Sequence, residues 1–440
     1  MIPFEGTSAT RWLPGAGGAP DGFRKRPGAE DLARLSTGVD DGMPEDRALP
    51  LPYAVHASAE HLRRTGPELA RMPLPARIAG IARVARSWRD PDDALRREAM
   101  EALPDELGFT PEMVAWALDA AFDVVTAEAL HAWWARVADA TDDPGTFGLS
   151  GHIWAGNVFV AGLPPVVGSV LAGVPALIKA PAAYPTFAAL LARSFAEHAP
   201  ELGPCVGAAA WSRDDARSTA GLLGADAVFV FGDDESVAAV REAAPSRTTV
   251  HGFGHRVSVG LVRGEVTDAE LSGLWEDHLA YDGGGCLTPK WVFVEGSMDE
   301  AVALAKRAAA LGPAMVERLP ARPMSDADAA ARVQLLGIAE FDGFGAAGPG
   351  WCAVAVDGVP PTTPRTVCVC PVDALADLPA RFGDAWWPSL QGAVVVGTTP
   401  SEEAALRATG ISYIAPPGRL QRPPLDWDHD GVAILEALRG

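Results

Sequence analysis

The stretch SGHIWAGNVFVAGLPPVVGSVLAGVPALIKAP, residues 150–181, carries the main signal for the class of fold. No Asp, Glu, Lys or Arg occurs from Pro144 to Ile178, so hydropathy alone favours a membrane-spanning helix. Prolines and glycines, however, divide this region into segments that are too short to span. We therefore expect a buried strand, a loop, a short helix and a second buried strand. Such nearly continuous apolar strands are typical of a parallel sheet that is covered on both faces.

The alternation of strand and helix extends over most of the chain. A helical region, with its longest predicted helix over residues 110–139, precedes the alternating pattern that starts near residue 148. A second series begins near residue 257, and its helix from residue 298 is predicted to end at Gly312. The pattern predicts an α/β fold with doubly wound sheets, whose ligands usually bind at the carboxyl ends of strands.

Composition and pattern divide the chain into four predicted segments. Residues 1–55 are rich in glycine, proline and mixed charge, and we expect a loosely structured lead-in there. Residues 56–256 form a helical segment and a first α/β domain, residues 257–395 form a second α/β domain, and residues 396–440 complete the fold. The last segment ends in an amphipathic helix that we expect Asp430 to cap.

The overall charge and the cysteines limit the class of protein. The 440 residues include 36 basic and 57 acidic ones, a net charge of −21, which disfavours nucleic acid and anionic membranes as partners. Five scattered cysteines do not form a disulfide framework, and no secretory signal is visible, so we expect a cytoplasmic protein. Motifs for serine hydrolases, zinc proteases, dithiol redox proteins and P-loop enzymes are absent, and no metal site is predicted.

Cys286 follows three consecutive glycines and precedes the strand-like run KWVFVE. Glycines remove side-chain walls, so a ligand can approach the residue that follows them. A lone cysteine is usually a small buried apolar residue, and the other four cysteines lie in or beside apolar strands. The position of Cys286 in a glycine turn instead favours a nucleophile, since backbone N–H groups there can stabilise a thiolate or an oxyanion.

Three further residues at predicted strand ends are candidates for ligand binding. Lys179 ends an apolar strand, where its cation either reaches the ribose hydroxyls or phosphate of a cofactor or extends to solvent at the sheet rim. Asn157 ends the preceding strand and is either a turn residue or an oxyanion donor. Gly232 lies between a strand and a helix, a geometry suited to pyrophosphate but also to any tight turn.

Taken together, these motifs resemble the aldehyde dehydrogenase superfamily in order and approximate spacing. They are AGN at 155–157, IKAP at 178–181, FVFG at 229–232 and the Gly-Cys pair at 285–286. More closely, the chain resembles the acyl-CoA reductase branch, the family of the fatty-acid reductase component of bacterial luminescence. The segments that carry this closer resemblance are HGFGHRVSVG (251–260), YDGGGCLTPKWVFVE (281–295) and PPLDWDHDG (423–431). It covers the chain from about residue 60 to its end.

The resemblance implies an aldehyde dehydrogenase-like fold, with two doubly wound α/β domains and the active site in the cleft between them. The first domain is then a Rossmann-like cofactor-binding domain, and the second is the catalytic domain. It further implies that Cys286 is the nucleophile and that Asn157 and the Cys286 backbone N–H stabilise an oxyanion. The residues that it assigns to cofactor binding are Lys179, Ala180, Pro181, Gly232 and Gly254.

Three departures from the superfamily pattern refine this expectation. No acid follows Lys179, where NAD-preferring dehydrogenases place one, so NADPH is the expected cofactor. The catalytic Glu, expected about 34 residues before the nucleophile, is missing, and His251 stands 35 residues before Cys286. His251 or His255 either assists proton transfer or makes a structural hydrogen bond. No Glu-x-Phe-Gly-Pro segment is present to hold the nicotinamide ribose.

The missing Glu distinguishes between two reactions. An aldehyde oxidiser needs a base to activate water, whereas reduction of an acyl thioester needs no water. We therefore expect NADPH-dependent reduction of a long-chain acyl-CoA, or of an acyl-protein thioester, to the aldehyde through an acyl group on Cys286. The alternatives are an NAD(P)-dependent aldehyde dehydrogenase and a non-catalytic acyl-binding or scaffold subunit. A homo-oligomer, or a complex with an acyl-activating partner, is also expected from the family.

Overall fold

The computed structural model describes residues 11–12, 51–138, 147–378, 382 and 389–439. Most of the predicted lead-in over residues 1–55 lies outside these residues. Two compact units are present, and each is made of separate stretches of chain. The first unit comprises Met1–Leu107, Ala121–Gly254 and Val432–Gly440, and the second comprises Gly108–Ala120 and His255–Gly431.

The sheet of the first unit has six strands within the described residues, in the order β1-β4-β3-β2-β5-β6. β1 pairs antiparallel with β4, and the other neighbours are parallel. The chain thus builds outward from β2 in both directions, which is the doubly wound arrangement predicted from the sequence. The strands are β1 Arg11–Trp12, β2 Ser150–Ile153, β3 Ala176–Pro181, β4 Val206–Trp211, β5 Ala227–Phe231 and β6 Thr249–Phe253.

The sheet of the second unit has seven strands in the part of the chain that the structure describes, in the order β13-β12-β7-β8-β11-β10-β9. β9 pairs antiparallel with β10, and the remaining pairs are parallel. The strands are β7 Val257–Arg263, β8 Pro289–Glu295, β9 Phe344–Gly348, β10 Trp351–Ala355, β11 Thr366–Val372, β12 Leu390–Val396 and β13 Tyr413–Ala415.

Helices connect the strands in both units. Those up to the first sheet are α1 Leu51–Arg71, α2 Leu74–Arg89, α3 Ala94–Leu107, α4 Pro111–Asp123 and α5 Ala127–Ala138. Those between its strands are α6 Leu163–Ala172, α7 Thr186–His198, α8 Ala216–Leu223 and α9 Asp234–Ala243. The remaining helices are α10 Asp268–Leu279, α11 Met298–Arg318, α12 Asp326–Asp342, α13 Pro400–Ala408 and α14 Ile434–Ala437. Among the described residues, no helix has both the length and the apolar character needed to cross a membrane.

The stretch over residues 150–181 folds as predicted, into strand β2, a loop, helix α6 and strand β3. Helix α6 has prolines in its first turn, where their missing N–H groups cost nothing. It ends at Gly173, whose left-handed φ of 83° caps the helix and lets the chain turn into β3. β3 is buried along most of its length, which explains the uncharged sequence.

Three predictions about helices were wrong. The helix predicted over residues 110–139 is two helices, because Thr126 accepts a hydrogen bond from the Ala129 N–H and starts α5. Helix α11 continues past Gly312, where a Cβ would lie 2.6 Å from the Trp351 ring, so this glycine makes room for packing rather than ending the helix. Asp430 does not cap the last helix, which starts four residues later at Ile434.

Candidate active site

Cys286 lies in a loop between helix α10 and strand β8, and the loop starts with an unusual backbone. Tyr281 and Asp282 both have φ of 52°, in the left-handed region that non-glycine residues rarely adopt. The buried Arg365 guanidinium lies 2.7 Å from the Asp282 carboxylate and holds this turn in place. Gly283 follows with φ of 74°, and a Cβ there would lie 3.0 Å from the Arg365 backbone nitrogen. The local conformation therefore requires glycine at 283.

Two hydrogen bonds fix the loop after this turn. The Lys290 ammonium on β8 donates to the Gly283 carbonyl at 2.8 Å. The Ser258 hydroxyl on β7 donates to the Cys286 carbonyl, also at 2.8 Å. The loop is therefore attached to the first residues of two neighbouring strands, and the position of Cys286 is defined by the amino edge of the second sheet.

The cysteine itself differs from the other four in exposure. Cys286 is half-buried, whereas Cys205, Cys352, Cys368 and Cys370 are buried, three of them in the core of the second sheet. The buried four pack as small apolar residues, in agreement with the sequence prediction.

The Cys286 sulfur is in a protein environment that favours the neutral thiol. Burial, and then the negative charge of Asp430, raise the pKa of Cys286 to about 12. The backbone N–H groups of Cys286 and Leu287 and the charge of Arg256 act in the opposite direction. The two N–H groups are nevertheless the donors that a thiolate or an oxyanion at this position needs.

The predicted cofactor residues Lys179, Ala180 and Pro181 are the last three residues of strand β3. Lys179 is half-buried, and burial and then the positive charge of Arg213 lower its pKa. Arg213 follows strand β4, the neighbour of β3, so two cations meet at the carboxyl edge of this sheet. Within the described chain, the Lys179 ammonium makes no hydrogen bond. Arg213 was not among the residues predicted to bind the cofactor.

Asn157 is not at the end of a strand, as the sequence had suggested, because β2 ends at Ile153. It lies in the exposed loop between β2 and α6. The preceding Gly156 packs against an aromatic ring, since a Cβ at this position would lie 2.5 Å from Tyr184. The backbone N–H of Trp154 donates to the Lys179 carbonyl at 3.0 Å, which connects the start of the loop to the end of β3. The loop thus lies at the same edge as Lys179.

Gly232 and Gly254 lie at the same edge, directly after strands β5 and β6. A Cβ at Gly232 would lie only 3.2 Å from the Ser236 side chain in helix α9. Asp233 caps this helix by accepting a hydrogen bond from the Ser236 N–H at 2.7 Å, and the first turn adds two more acidic residues. Three carboxylates at this helix start disfavour a pyrophosphate there.

His251 lies in the middle of strand β6, not at its end. Its ring stacks on Phe229 of β5 with 5.1 Å between ring centroids, and Phe229 stacks in turn on His152 of β2 at 5.4 Å. Burial, and then the charge of Arg241, lower the pKa of His251, so the ring is neutral near pH 7. These contacts describe a packing role for His251 in the first unit. His255 is exposed and is the first residue of the longer stretch of the second unit, His255–Gly431.

A family profile described as Acyl-CoA reductase (LuxC) matches residues 69–439. The chain belongs to the LuxC acyl-CoA reductase family. This membership confirms the resemblance carried by the glycine-cysteine loop and by the segments over 251–260 and 423–431. No sequence among the curated proteins matches the chain.

Solved structures of aldehyde dehydrogenases share the fold of this LuxC family member. Aldehyde dehydrogenase 21 from Physcomitrella patens has a TM-score of 0.66 at 11% identity, with 92% of this chain and 95% of that chain covered. The 1-pyrroline-5-carboxylate dehydrogenase from Thermus with bound NAD has a TM-score of 0.63 at 15% identity, with 88% and 84% covered. The putative aldehyde dehydrogenase PutA from Anabaena variabilis gives 0.62 at 15% identity, with 84% and 86% covered. The predicted fold class is confirmed.

Family and fold together support oxidoreductase chemistry on acyl or aldehyde groups. The structure places Lys179, Gly232 and Gly254 at one edge of the first sheet, and it places Cys286 at the amino edge of the second. Sequence reasoning missed two charged residues that act on Cys286, namely Arg256 and Asp430. Both lie in segments that carried the family resemblance, and that was the available signal.

Proposed function

We propose that this protein reduces an acyl thioester to an aldehyde through an acyl group carried on Cys286, with NADPH as the reductant. The observation that carries the proposal is the environment of Cys286. It is half-buried in a glycine loop, and the N–H groups of Cys286 and Leu287 are directed at its sulfur. The proposed acyl donor is a fatty acyl-CoA or an acyl-protein thioester, and the description of the family as acyl-CoA reductases supports an acyl-CoA.

In the first step, the Cys286 sulfur forms a bond to the acyl carbon, and the bond from that carbon to the donor sulfur breaks. The thiol proton of Cys286 ends on the departing thiol, so the transfer is balanced. The backbone N–H groups of residues 286 and 287 stabilise the oxyanion that forms on the acyl oxygen, and Asn157 is proposed as an additional donor. Because burial raises the pKa of Cys286, we propose that the thiol proton leaves as the acyl carbon is attacked.

The residues at the carboxyl edge of the first sheet fit one part of a nicotinamide cofactor. Lys179 and Arg213 provide two neighbouring cations, and Ala180 and Pro181 add no acid, so a 2′-phosphate is favoured over free ribose hydroxyls. When bound, NADPH would supply a hydride and become NADP; with one proton, the acyl group would leave Cys286 as the aldehyde and the thiol would be restored. Gly232 and Gly254 are proposed to leave space for the cofactor. The acidic residues at the start of α9 require the cofactor phosphates to lie away from that helix end.

The remaining assignments follow from this proposal. The first unit is the cofactor-binding unit and the second unit is the catalytic one. The protein is proposed to act in the cytoplasm, either as a homo-oligomer or with a partner that activates acyl groups. His251 is also proposed as a proton-transfer residue, although its stacking on Phe229 already accounts for its position.

The experiment that tests the proposal compares Cys286→Ala with the control Cys205→Ala. Incubation with a labelled acyl thioester should leave label on the wild-type and control chains and none on Cys286→Ala, and acyl-dependent NADPH oxidation should be lost in parallel. Label and turnover retained by Cys286→Ala would refute the assignment.

Two further outcomes distinguish the alternative functions. Free acid formed from aldehyde and NADP, without coenzyme A, would favour an aldehyde dehydrogenase. A protein that folds but leaves NADPH fluorescence unchanged would favour a scaffold subunit.

A further inference from the structure

The amino edge of the second sheet collects residues that are distant in sequence. Strands β12, β7 and β8 are parallel neighbours, so their first residues lie side by side. Gln391 on β12, Ser258 on β7 and the loop before β8 therefore lie next to one another. A Cβ at Gly392 would lie 2.6 Å from the Ser258 hydroxyl and 3.1 Å from the Leu287 side chain, so the start of β12 packs directly on the Cys286 loop.

The C-terminal part of the second unit covers the same loop. The Gln421 amide donates to the Thr288 hydroxyl at 3.2 Å. A Cβ at Gly392 would also lie 3.3 Å from Leu420. This segment then continues to Asp430, so the loop is enclosed by residues that follow Cys286 by more than a hundred positions.

Asp430 is held in a defined position beside this loop. Its side chain is 4% exposed and lies 3.4 Å from the Arg256 Nε, which is attached just before β7. The Gln391 amide donates to its other oxygen at 2.6 Å. Asp430 has φ of 50° and the following Gly431 has φ of 77°, so the chain adopts two consecutive left-handed conformations there. A backbone conformation of this kind in a non-glycine residue is kept only where the surroundings enforce it.

We propose that Asp430 and Arg256 form a charged pair that sets the ionisation of Cys286, with Asp430 favouring the thiol and Arg256 favouring the thiolate. Both are positioning residues, because they act on the acyl group through Cys286. The charges of the pair have opposite effects on the pKa of Cys286, and that of Asp430 is the larger. The inference rests on the proposed function only in making Cys286 the nucleophile.

Two other titratable groups, Tyr281 and Lys290, lie near the same sulfur, and His429 lies near Arg256. Burial raises the pKa of Tyr281, which is therefore neutral. Lys290 is a cation whose charge interacts with that of Cys286, although burial lowers its pKa. Burial, and then the charge of Arg256, lower the pKa of His429 to about 3, so this ring is neutral. Asp430 is thus the anion in this set, and Arg256 is the partner that opposes it directly.

The test measures the rate at which iodoacetamide alkylates Cys286 between pH 6 and pH 10 in the full-length protein. Asp430→Asn removes the anion, and alkylation at neutral pH should become about tenfold faster, as expected for a pKa lowered by about one unit. Arg256→Gln removes the opposing cation and should slow alkylation severalfold. Asp430→Glu should stay near wild type, and Asp428→Asn, a matched charge change two residues away, should alter the rate less than twofold.

Opposite shifts of the two variants are the required result. A loosened loop would expose the sulfur and accelerate alkylation in both variants, so shifts in the same direction would overturn the proposal, as would a change below twofold in Asp430→Asn. If Asp430→Asn fails to fold, the other two variants still test the proposal. It then requires that Arg256→Gln is alkylated more slowly than wild type and that Asp430→Glu is alkylated at nearly the wild-type rate. Alkylation needs neither acyl donor nor cofactor, so failure of the proposed function would leave this readout intact.

Discussion

Replacement of Arg365 with methionine removes the cation that holds the start of the Cys286 loop. Its side chain is 3% exposed and lies 2.7 Å from the Asp282 carboxylate. Its other donors reach the backbone carbonyls of Gly350, Leu319 and Leu279. The variant therefore leaves a carboxylate buried without its closest cation, together with carbonyl groups that lose their donor.

The expected size of the effect follows from the burial of both partners. Removal of one member of a buried ion pair typically costs about 3–5 kcal/mol in free energy of unfolding. Burial raises the pKa of Asp282 even though Arg365 and then Arg322 oppose it, so the desolvation of the carboxylate outweighs the attraction. The pair is thus costly to break but contributes little net stability. The double variant Arg365→Met/Asp282→Asn should recover at least about 2 kcal/mol of the loss.

Urea unfolding at pH 5 and pH 8 measures these free energies. The pKa of Asp282 is raised above its unfolded-state value, and it should rise further without Arg365. The stability contributed by such a group is present at low pH and is lost as pH rises through the folded-state pKa. Arg365→Met should therefore be destabilised more at pH 8 than at pH 5. Equal losses at the two pH values, or a double variant no more stable than the single one, would refute the reasoning.

Two further predictions concern other parts of the chain. Lys179→Ala and Arg213→Ala should each raise the KM for NADPH by about tenfold or more and change the KM for NADH less. Steady-state assays with both cofactors measure these values. Equal changes in the two KM values would show that neither residue binds the 2′-phosphate. Burial raises the pKa of Asp277 to about 7. Between pH 5 and pH 7, the wild type should therefore lose about 1.4 kcal/mol of stability per pH unit relative to Asp277→Asn, and the difference should stay constant above pH 7. Urea unfolding measures this difference, and a difference that does not depend on pH would contradict the prediction.

Features that depend on nearby residues were predictable from the sequence. The strand, helix and strand over residues 150–181 follow from apolar runs that are interrupted by prolines and glycines, and the chain needs no distant contact to choose them. Cys286 was recognisable because three glycines precede it, and the positive φ of Gly283 shows a local need for at least one of them. The four buried cysteines were recognised in the same way, from the apolar strands around them.

Features that depend on distant residues were not predictable. Gly312 looks like a helix end in sequence, but it lies inside α11 and makes room for Trp351 of strand β10. Asp430 looks like a helix cap because a helix follows it, yet its carboxylate is held by Gln391 and Arg256. Asn157 was placed at a strand end because HIWAGN is apolar, whereas β2 ends at Ile153.

The same distinction explains why the glycine loop was found but the ionisation state of its cysteine was not. Glycines determine where the loop bends, and this is a property of adjacent residues. The pKa of a thiol depends on what surrounds the sulfur, which here is burial first and then the charge of Asp430, 144 positions later, opposed in part by Arg256, 30 positions earlier. Parallel strands bring their starting residues to one edge whatever their separation in sequence. A sheet can therefore place beside a cysteine charged residues that are distant from it in sequence, and opposite shifts in alkylation are the direct measure of their proposed effect.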